Sequence, residues 1–76
     1  MNEPLKTRKR LIRQLKETRK ARGLSLRDVE KLSGVDNSNL SEMEKGKRNI
    51  SLDTLIKLSR AMALEVALLP VDEKDE

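Results

Sequence analysis

The sequence contains no cysteine, no histidine and no aromatic residue among its 76 residues. Disulfide bonds, and zinc sites built from cysteine and histidine, are therefore excluded as means of stabilising the fold. The core must consist of Leu, Ile, Val, Met and Ala side chains. A domain of this size buries only about 60% of the surface that its unfolded chain exposes. We therefore expect one small domain over residues 1–76, with dimerisation as a source of further buried area.

Long apolar runs are missing as well. No stretch approaches the roughly 18 apolar residues of a membrane span, and no apolar signal-peptide core follows the basic N-terminus. We therefore expect a cytoplasmic protein without a membrane partner. The sequence also has little from which to build an active site, since it lacks a Gly-rich phosphate-binding loop in addition to the missing residue types. No enzyme activity, cofactor or metal site is predicted.

The net charge of +4 is unevenly distributed along the chain. Residues 1–22 contain nine Lys/Arg against two acidic residues, residues 23–70 contain seven of each sign, and residues 71–76 contain one lysine against four acidic residues. The basic N-terminal segment favours a polyanionic partner. A solvated helix face followed by a solubilising tail explains the same distribution, and charge alone does not decide between the two.

The stretch SLRDVEKLSGVDNSNLSEMEKG (residues 25–46) predicts two short helices joined by a tight turn. Ser25 is placed to cap the first helix, with Asp28 completing a capping box, and Gly34 is placed to end it. Asp36 is placed to cap the second helix, which ends at Gly46. The predicted inward-facing side chains of the pair are Leu26, Val29, Leu32, Leu40 and Met43. Short helices joined by a glycine-containing turn form a helix-turn-helix pattern.

Helices are predicted on both sides of this pattern. After an irregular start within residues 1–7, the periodicity is helical from about Leu5 to Arg22, with Leu11, Ile12 and Leu15 on one side, and Gly23 ends this helix. After the pattern, Ile50 is expected to pack inward and Ser51 to cap a fourth helix. The apolar stripe predicted for that helix consists of Leu52, Leu55, Ile56, Met62 and Ala63, with Leu58 near its edge.

The segment LEVALLP (residues 64–70) is mostly apolar and ends at a proline. As a helix it would extend the fourth helix. As a strand it would have no partner in the monomer, because no other part of the chain has a β pattern. We favour a strand in which Leu64, Val66 and Leu68 pair with the same segment of a second copy. The predicted fold is therefore all-α, with four to five helices in residues 5–63, a dimerisation strand at 64–70 and an acidic tail at 71–76.

The run RKARGLSLRDVEKLSGVDNSNLSEMEKGKRNISLDTLIKLSRAM resembles the Cro/repressor-type (Xre family) helix-turn-helix domain, and the resemblance covers roughly residues 8–63. The shared marks are the R-x-x-x-G-L-S entry, the turn glycine Gly34, the L-S-x-x-E-x-G run from Leu40 to Gly46, and an L-x-x-L-x-x-A-like fourth helix. The ending MALEVALLP is similar to that of HipB-type antitoxins, in which the chain finishes in a strand that pairs across the dimer.

Two positions depart from the family pattern. Glu30 occupies a place where the family often has alanine, close to the third helix, so the approach of the two helices is in question. Leu26 occupies a place where many members have a glutamine that contacts the DNA backbone, so one expected polar contact is missing.

The resemblance implies that residues 36–45 form a recognition helix whose N-terminal half enters the major groove. The residues predicted to contact bases are Asn37, Ser38, Asn39, Ser41 and Glu42. The residues predicted to contact phosphates are Ser25, Arg27, Lys45, Lys47, Arg48, Asn49 and Arg19. Arg19 and Glu44 match family positions that form a partly buried ion pair. The alternative explanation of the Asn and Ser residues is that they cap and solubilise a short helix, and the alternative explanation of the cations is a solvated loop.

The function expected from this resemblance is sequence-specific repression by a homodimer that binds double-stranded DNA at a palindrome with half-sites about 10 bp apart. A narrower expectation within this function is that the protein is an antitoxin, which binds a toxin partner and represses its own operon. The alternative is a non-specific nucleic-acid, RNA-binding or protein-interaction module that uses the basic N-terminal helix as its contact surface. A membrane-surface helix over residues 5–22 is disfavoured because it lacks aromatic anchors.

Overall fold

A computed structural model describes residues 3–71, which contain four α-helices and, within that range, no strand. The helices are α1 (Glu3–Ala21), α2 (Leu26–Ser33), α3 (Asn37–Glu44) and α4 (Leu52–Ala61). The predicted all-α helix-turn-helix fold is thus confirmed. Among the described helices, none combines the length and the apolar character that crossing a membrane would require. The predicted acidic tail, apart from Val71, lies outside the described residues.

Helix α1 begins earlier than predicted, because Glu3 already lies in it and residues 3–7 are helical. Pro4 suits the first turn, where its missing N–H would have no partner in any case and its fixed φ matches the helix. The Glu3 carboxylate in the same turn interacts favourably with the helix dipole. At 19 residues, α1 is the longest helix of the described chain.

The N-terminal caps are those that the sequence predicted. The Ser25 hydroxyl accepts the Asp28 N–H at 3.0 Å, and the Asp28 carboxylate accepts the Ser25 N–H at 2.8 Å, which completes the capping box of α2. The Asp36 carboxylate accepts the Ser38 N–H at 3.1 Å at the start of α3. The Ser51 hydroxyl accepts the Thr54 N–H at 3.1 Å at the start of α4.

Two left-handed residues end the helices on either side of α3. Gly34 follows α2 with φ +80° and donates its N–H to the Glu30 carbonyl at 2.7 Å. Ala63 follows α4 with φ +59°, and the next N–H, that of Leu64, bonds to the Ser59 carbonyl at 2.7 Å. This is the hydrogen bond of a Schellman motif, which glycine normally completes. Ala63 therefore carries a Cβ in a conformation that costs an alanine about 1 kcal/mol.

Every helix contributes to one core, and its centre is Val29 of α2, which is 1% exposed. Helix α2 packs against α3 and α4, and α1 packs against α3. The other buried apolar residues are Leu15, Leu40, Met43, Leu58 and Met62. Ile50 is partly buried against this core, as predicted. The burial of Leu40 and Met43 fixes which side of α3 faces inward.

Four residues predicted to face inward are exposed: Leu32, Leu52, Ile56 and Ala63, which lies beyond the end of α4. Leu32 is 60% exposed, because two steps of three residues turn it about 120° away from Leu26 around the helix. Leu52 and Ile56 are 63% and 41% exposed, whereas Leu58 is only 3% exposed although we expected it near the edge. The inward face of α4 runs through Leu58 and Met62, and Leu52 and Ile56 lie about 100° and about 140° away from its centre.

Residues 64–71 have neither helical nor strand structure in the single chain. The extension of α4 is therefore not adopted, and a strand that requires a second copy stays a prediction. One of its three proposed residues has a different role in the monomer, because Leu64 packs against the core. Val66 and Leu68 are exposed, by 40% and 98%.

Substitution at the two left-handed positions should shift stability in opposite directions. Ala63→Gly is expected to raise the free energy of unfolding by about 0.5–1 kcal/mol, because it removes the Cβ from a left-handed residue. Gly34→Ala is expected to lower it by about 1 kcal/mol for the converse reason. Urea unfolding followed by circular dichroism measures both. A destabilised Ala63→Gly variant would contradict the assignment of strain to Ala63.

Candidate nucleic-acid interface

Helix α3 is fixed to α1 by an ion pair between Arg19 and Glu44. Arg19 Nε donates to Glu44 Oε2 at 2.8 Å, and Arg19 Nη2 donates to Glu44 Oε1 at 3.0 Å. A third guanidinium N–H donates to the Leu24 carbonyl at 2.9 Å. The side chains are only 13% and 17% exposed, so the pair is largely withdrawn from solvent. Paired hydrogen bonds from a planar guanidinium fix orientation as well as distance, and α3 is therefore held at a defined angle.

The residues predicted to contact bases form what we call the polar edge of α3, residues 37–39, 41 and 42. Ser38 and Glu42 are exposed and lie on the side opposite Leu40 and Met43, as the 3.6-residue period requires. Asn37, Asn39 and Ser41 flank them and are partly buried. The side of α3 that the core leaves uncovered is thus composed of small amide and hydroxyl side chains and one carboxylate.

Asn37 is oriented by α2. Its Nδ2 donates to Glu30 Oε1 at 2.9 Å. Glu30, which we expected to affect the approach of the two helices, therefore links them at the start of α3. The hydrogen bond leaves the Asn37 carbonyl oxygen and one N–H for a base, so a bidentate contact to adenine remains compatible with it.

Glu42 and Arg48 are paired with each other. Arg48 Nη2 lies 3.2 Å from Glu42 Oε1, and the two side chains are 50% and 51% exposed. We predicted a base contact for Glu42 and a phosphate contact for Arg48, and the structure brings them together. Exposed pairs of this kind contribute little to stability, so the guanidinium can leave Glu42 for another acceptor at small cost. The pairing also neutralises a carboxylate that would otherwise repel phosphates.

The N-terminus of α2 already holds an anion. The Asp28 carboxylate accepts the N–H of Ser25, and this hydrogen bond, followed by that of the Ser25 hydroxyl, lowers the pKa of Asp28. The Ser25 backbone N–H is therefore occupied, and its hydroxyl must turn away from Asp28 in order to donate to a phosphate. Arg27 is exposed on the same turn. Leu26 packs against the core and makes no polar contribution.

The loop between α3 and α4 carries the remaining predicted phosphate contacts. The four residues concerned are all exposed and comprise Lys45, Lys47, Arg48 and Asn49. Asn49 Oδ1 accepts a hydrogen bond from Arg8 Nη1 at 2.9 Å. A phosphate would need the amide N–H₂ group, which this hydrogen bond leaves available. The loop is thereby joined to the N-terminal half of α1.

The sequence did not predict that cations of α1 lie beside the end of α3. A cleft of about 310 Å³ lies between α1 and the end of α3, and its cationic lining consists of Lys9, Arg13, Lys16 and Lys45. The uneven charge of residues 1–22 was the available signal. It did not indicate which of the nine cations would lie beside α3. Within residues 3–71, no group of His, Cys, Asp and Glu is arranged to hold a metal ion.

Removal of the ion pair should release α3. Arg19→Met is expected to lower the free energy of unfolding by about 2–3 kcal/mol, because Glu44 loses its partner while largely buried. This loss is somewhat smaller than that expected for a fully buried pair. The double variant Arg19→Met/Glu44→Met should recover part of this loss, since it leaves no unpaired charge. Urea unfolding of the single and double variants measures the coupling. Strictly additive losses would contradict the inferred role of the pair.

Known proteins resemble this chain in sequence and in structure. The Helix-turn-helix family model (HTH_3) matches residues 15–69. An uncharacterized HTH-type transcriptional regulator of Haemophilus influenzae is 34% identical over 65 residues, which are 86% of this chain and 66% of the relative. Another such regulator, from Sinorhizobium fredii, is 33% identical over 60 residues, which are 79% of this chain and 31% of the relative. The chain thus spans under two thirds of each relative's length.

One solved structure matches the fold closely. It is the high-resolution crystal structure of the restriction-modification controller protein C.AhdI from Aeromonas hydrophila, with a TM-score of 0.69 and 40% sequence identity. The match covers 72% of this chain and 83% of the controller protein. From the helix-turn-helix geometry, the family match over most of the chain and these relatives, the chain belongs to the Cro/C1-type (Xre) helix-turn-helix family of DNA-binding transcription regulators.

Proposed function

We propose that this protein is a repressor that recognises a specific palindromic operator as a homodimer, with one α3 of the pair in each of two successive major grooves. The observation that supports this most strongly is the polar edge of α3, which is free of the core while α3 itself is held by Arg19 and Glu44. A rigidly held edge of Asn and Ser side chains can read bases through directed hydrogen bonds.

The groups around the polar edge support docking on a duplex. Cations of the α3–α4 loop lie beyond one end of α3, and Arg27 with the Ser25 hydroxyl lies on the neighbouring α2. Such contacts set the position of the protein on the phosphate backbone, and they carry no sequence information of their own. Asn37, Ser38, Asn39, Ser41 and Glu42 would then select the operator bases. Arg19, which is engaged by Glu44 and Leu24, has the weakest case among the proposed phosphate contacts.

Exposed apolar side chains support a second copy as the partner. Leu52 and Ile56 on α4 are 63% and 41% exposed, and Leu68 and Leu69 are 98% and 83% exposed. A chain this small has little apolar surface to leave uncovered. We therefore assign these residues to the two-fold interface, with the predicted strand beginning after Leu64.

The similarity to a restriction-modification controller protein favours a second role within this proposal, the control of a restriction-modification operon. The antitoxin role rests on the segment 64–70 alone, and no toxin partner is assigned. A cytoplasmic location follows from the proposed contact with operator DNA.

Selection from a random pool of DNA duplexes tests the function. The protein should enrich a palindrome with half-sites about 10 bp apart. On that site Asn39→Ala is expected to cost about 1–3 kcal/mol and to relax preference at one position, because it removes a base contact. Lys47→Ala should weaken binding to all sequences alike and lower the salt slope by about 1.

Lys57→Ala is the matched control, because Lys57 is an exposed cation on α4. It should retain the affinity of the parent protein. A pool that yields no enriched sequence would rule out specific recognition and leave a non-specific nucleic-acid or protein-interaction module.

Sedimentation equilibrium tests the dimer. Leu68→Glu and Ile56→Glu should each weaken self-association at least tenfold, because a buried charge would replace an apolar contact. Leu32→Glu is the matched control, since Leu32 is an exposed leucine on α2, and its exposure of 60% lies between those of Ile56 (41%) and Leu68 (98%). It lies outside the proposed interface. Equal effects of all three substitutions, or a parent protein that stays monomeric, would refute the assigned interface.

A further inference from the structure

The central part of α1, residues 9–16, forms a second basic surface, and most of it lies outside the family match and outside α3. The match begins at residue 15, so Lys9 and Arg13 precede it. With Lys16 they lie at positions i, i+4 and i+7 of one continuous helix, which places them on one face. Lys45, the residue that follows α3, joins them in lining the same cleft.

The cleft has a strongly positive charge because its single carboxylate is already neutralised. Both oxygens of Glu44 accept hydrogen bonds from Arg19, at 2.8 and 3.0 Å. Lys9, Arg13, Lys16 and Lys45 take part in neither of the two ion pairs found in residues 3–71. Four cations without a counter-ion around a cleft of about 310 Å³ favour an anionic ligand.

The position of the cleft indicates which anion it receives. Lys45 continues directly into the α3–α4 loop, whose cations are the proposed phosphate contacts. The hydrogen bond from Arg8 to Asn49, at 2.9 Å, holds α1 against the far end of that loop. The α1 cleft and the loop are therefore parts of one continuous basic surface beside the recognition helix.

The row of cations on α1 also suits a nucleic-acid backbone in its dimensions. From Lys9 to Lys16 the helix rises about 10 Å. Over that length one strand of B-DNA presents about three phosphates along its axis. A small anion such as free phosphate would need only one or two of the four cations.

We propose that Lys9, Arg13, Lys16 and Lys45 form a binding site for consecutive DNA backbone phosphates, which extends the contact made by the α3–α4 loop. This inference rests on the proposed function, because it places the duplex on the recognition face. It assigns no base recognition to α1. The site raises affinity for DNA of any sequence and thereby makes binding depend more steeply on salt.

The test compares the variant Lys9→Gln/Arg13→Gln/Lys16→Gln with the control Lys31→Gln/Lys57→Gln/Arg60→Gln. Both variants lose three positive charges, and glutamine preserves helix propensity. The control residues are exposed cations on α2 and α4. Circular dichroism and thermal unfolding first establish that both variants are folded. Binding to the selected operator and to a scrambled duplex is then measured by fluorescence anisotropy between 50 and 200 mM salt (about the range over which phosphate contacts dominate).

The cleft variant should lower the slope of log K against log salt by about 2–3, in proportion to the phosphates lost. Its preference for the operator over the scrambled duplex should stay unchanged. The control variant should lower the slope by less than about 1. An unchanged slope in the cleft variant, or an equal fall in both variants, would overturn the proposal, and equal falls would assign the effect to net charge alone.

Failure of this inference can be distinguished from failure of the proposed function. If the parent protein shows no preference for any duplex while the cleft variant still lowers the slope, the phosphate site stands and specific recognition fails. If the parent protein prefers the operator and the cleft variant keeps the parent slope, recognition stands and the phosphate site fails. A cleft that binds an acidic protein instead of DNA would give this second result.

Discussion

The arrangement of the recognition face depends on the ion pair between Arg19 of α1 and Glu44 of α3. The two helices pack against each other, and the pair adds two directed hydrogen bonds at 2.8 and 3.0 Å to that contact. Because Arg19 also donates to the Leu24 carbonyl, it ties the end of α1, the start of α2 and the end of α3 to one side chain. Apolar packing around Val29 supplies most of the burial, but it has no direction. The charged pair adds directed contacts that fix the end of α3 to α1, as the hydrogen bond from Asn37 to Glu30 links its start to α2.

Four polar residues of the proposed DNA interface have hydrogen-bond or ion-pair partners within the chain. Asn37 donates to Glu30, Glu42 pairs with Arg48, and Asn49 accepts from Arg8. The exposed pair of Glu42 and Arg48 costs little to separate, whereas the Asn37 contact leaves donors and acceptors free. These contacts favour one arrangement of the side chains in the unbound protein. The loss of conformational entropy on binding should therefore be small.

Local signals in the sequence predicted the elements of the fold well. Ser25, Asp36 and Ser51 cap the helices as predicted, since capping depends on residues within one turn. Packing was predicted less well: Leu32, Leu52 and Ile56 are exposed, because helical phase alone does not say where a neighbouring helix lies. The contact of Arg8 with Asn49 joins residues that lie far apart in the chain. The contact of Glu42 with Arg48 joins α3 to the loop that follows it. The sequence carried no signal for either contact. The α1 cleft was missed for the same reason, although the charge of residues 1–22 indicated a polyanion.

In the proposed complex, α3 is held by α1 and presents its N-terminal half to a DNA groove. Mapping amide chemical shifts on addition of the selected operator tests this arrangement most directly. We expect the largest changes in residues 37–42 and in the loop 45–49, with further changes at residues 9–16 of α1 and little change in the core at Val29. Changes confined to α4 and residues 64–71, with α3 unaffected, would contradict it.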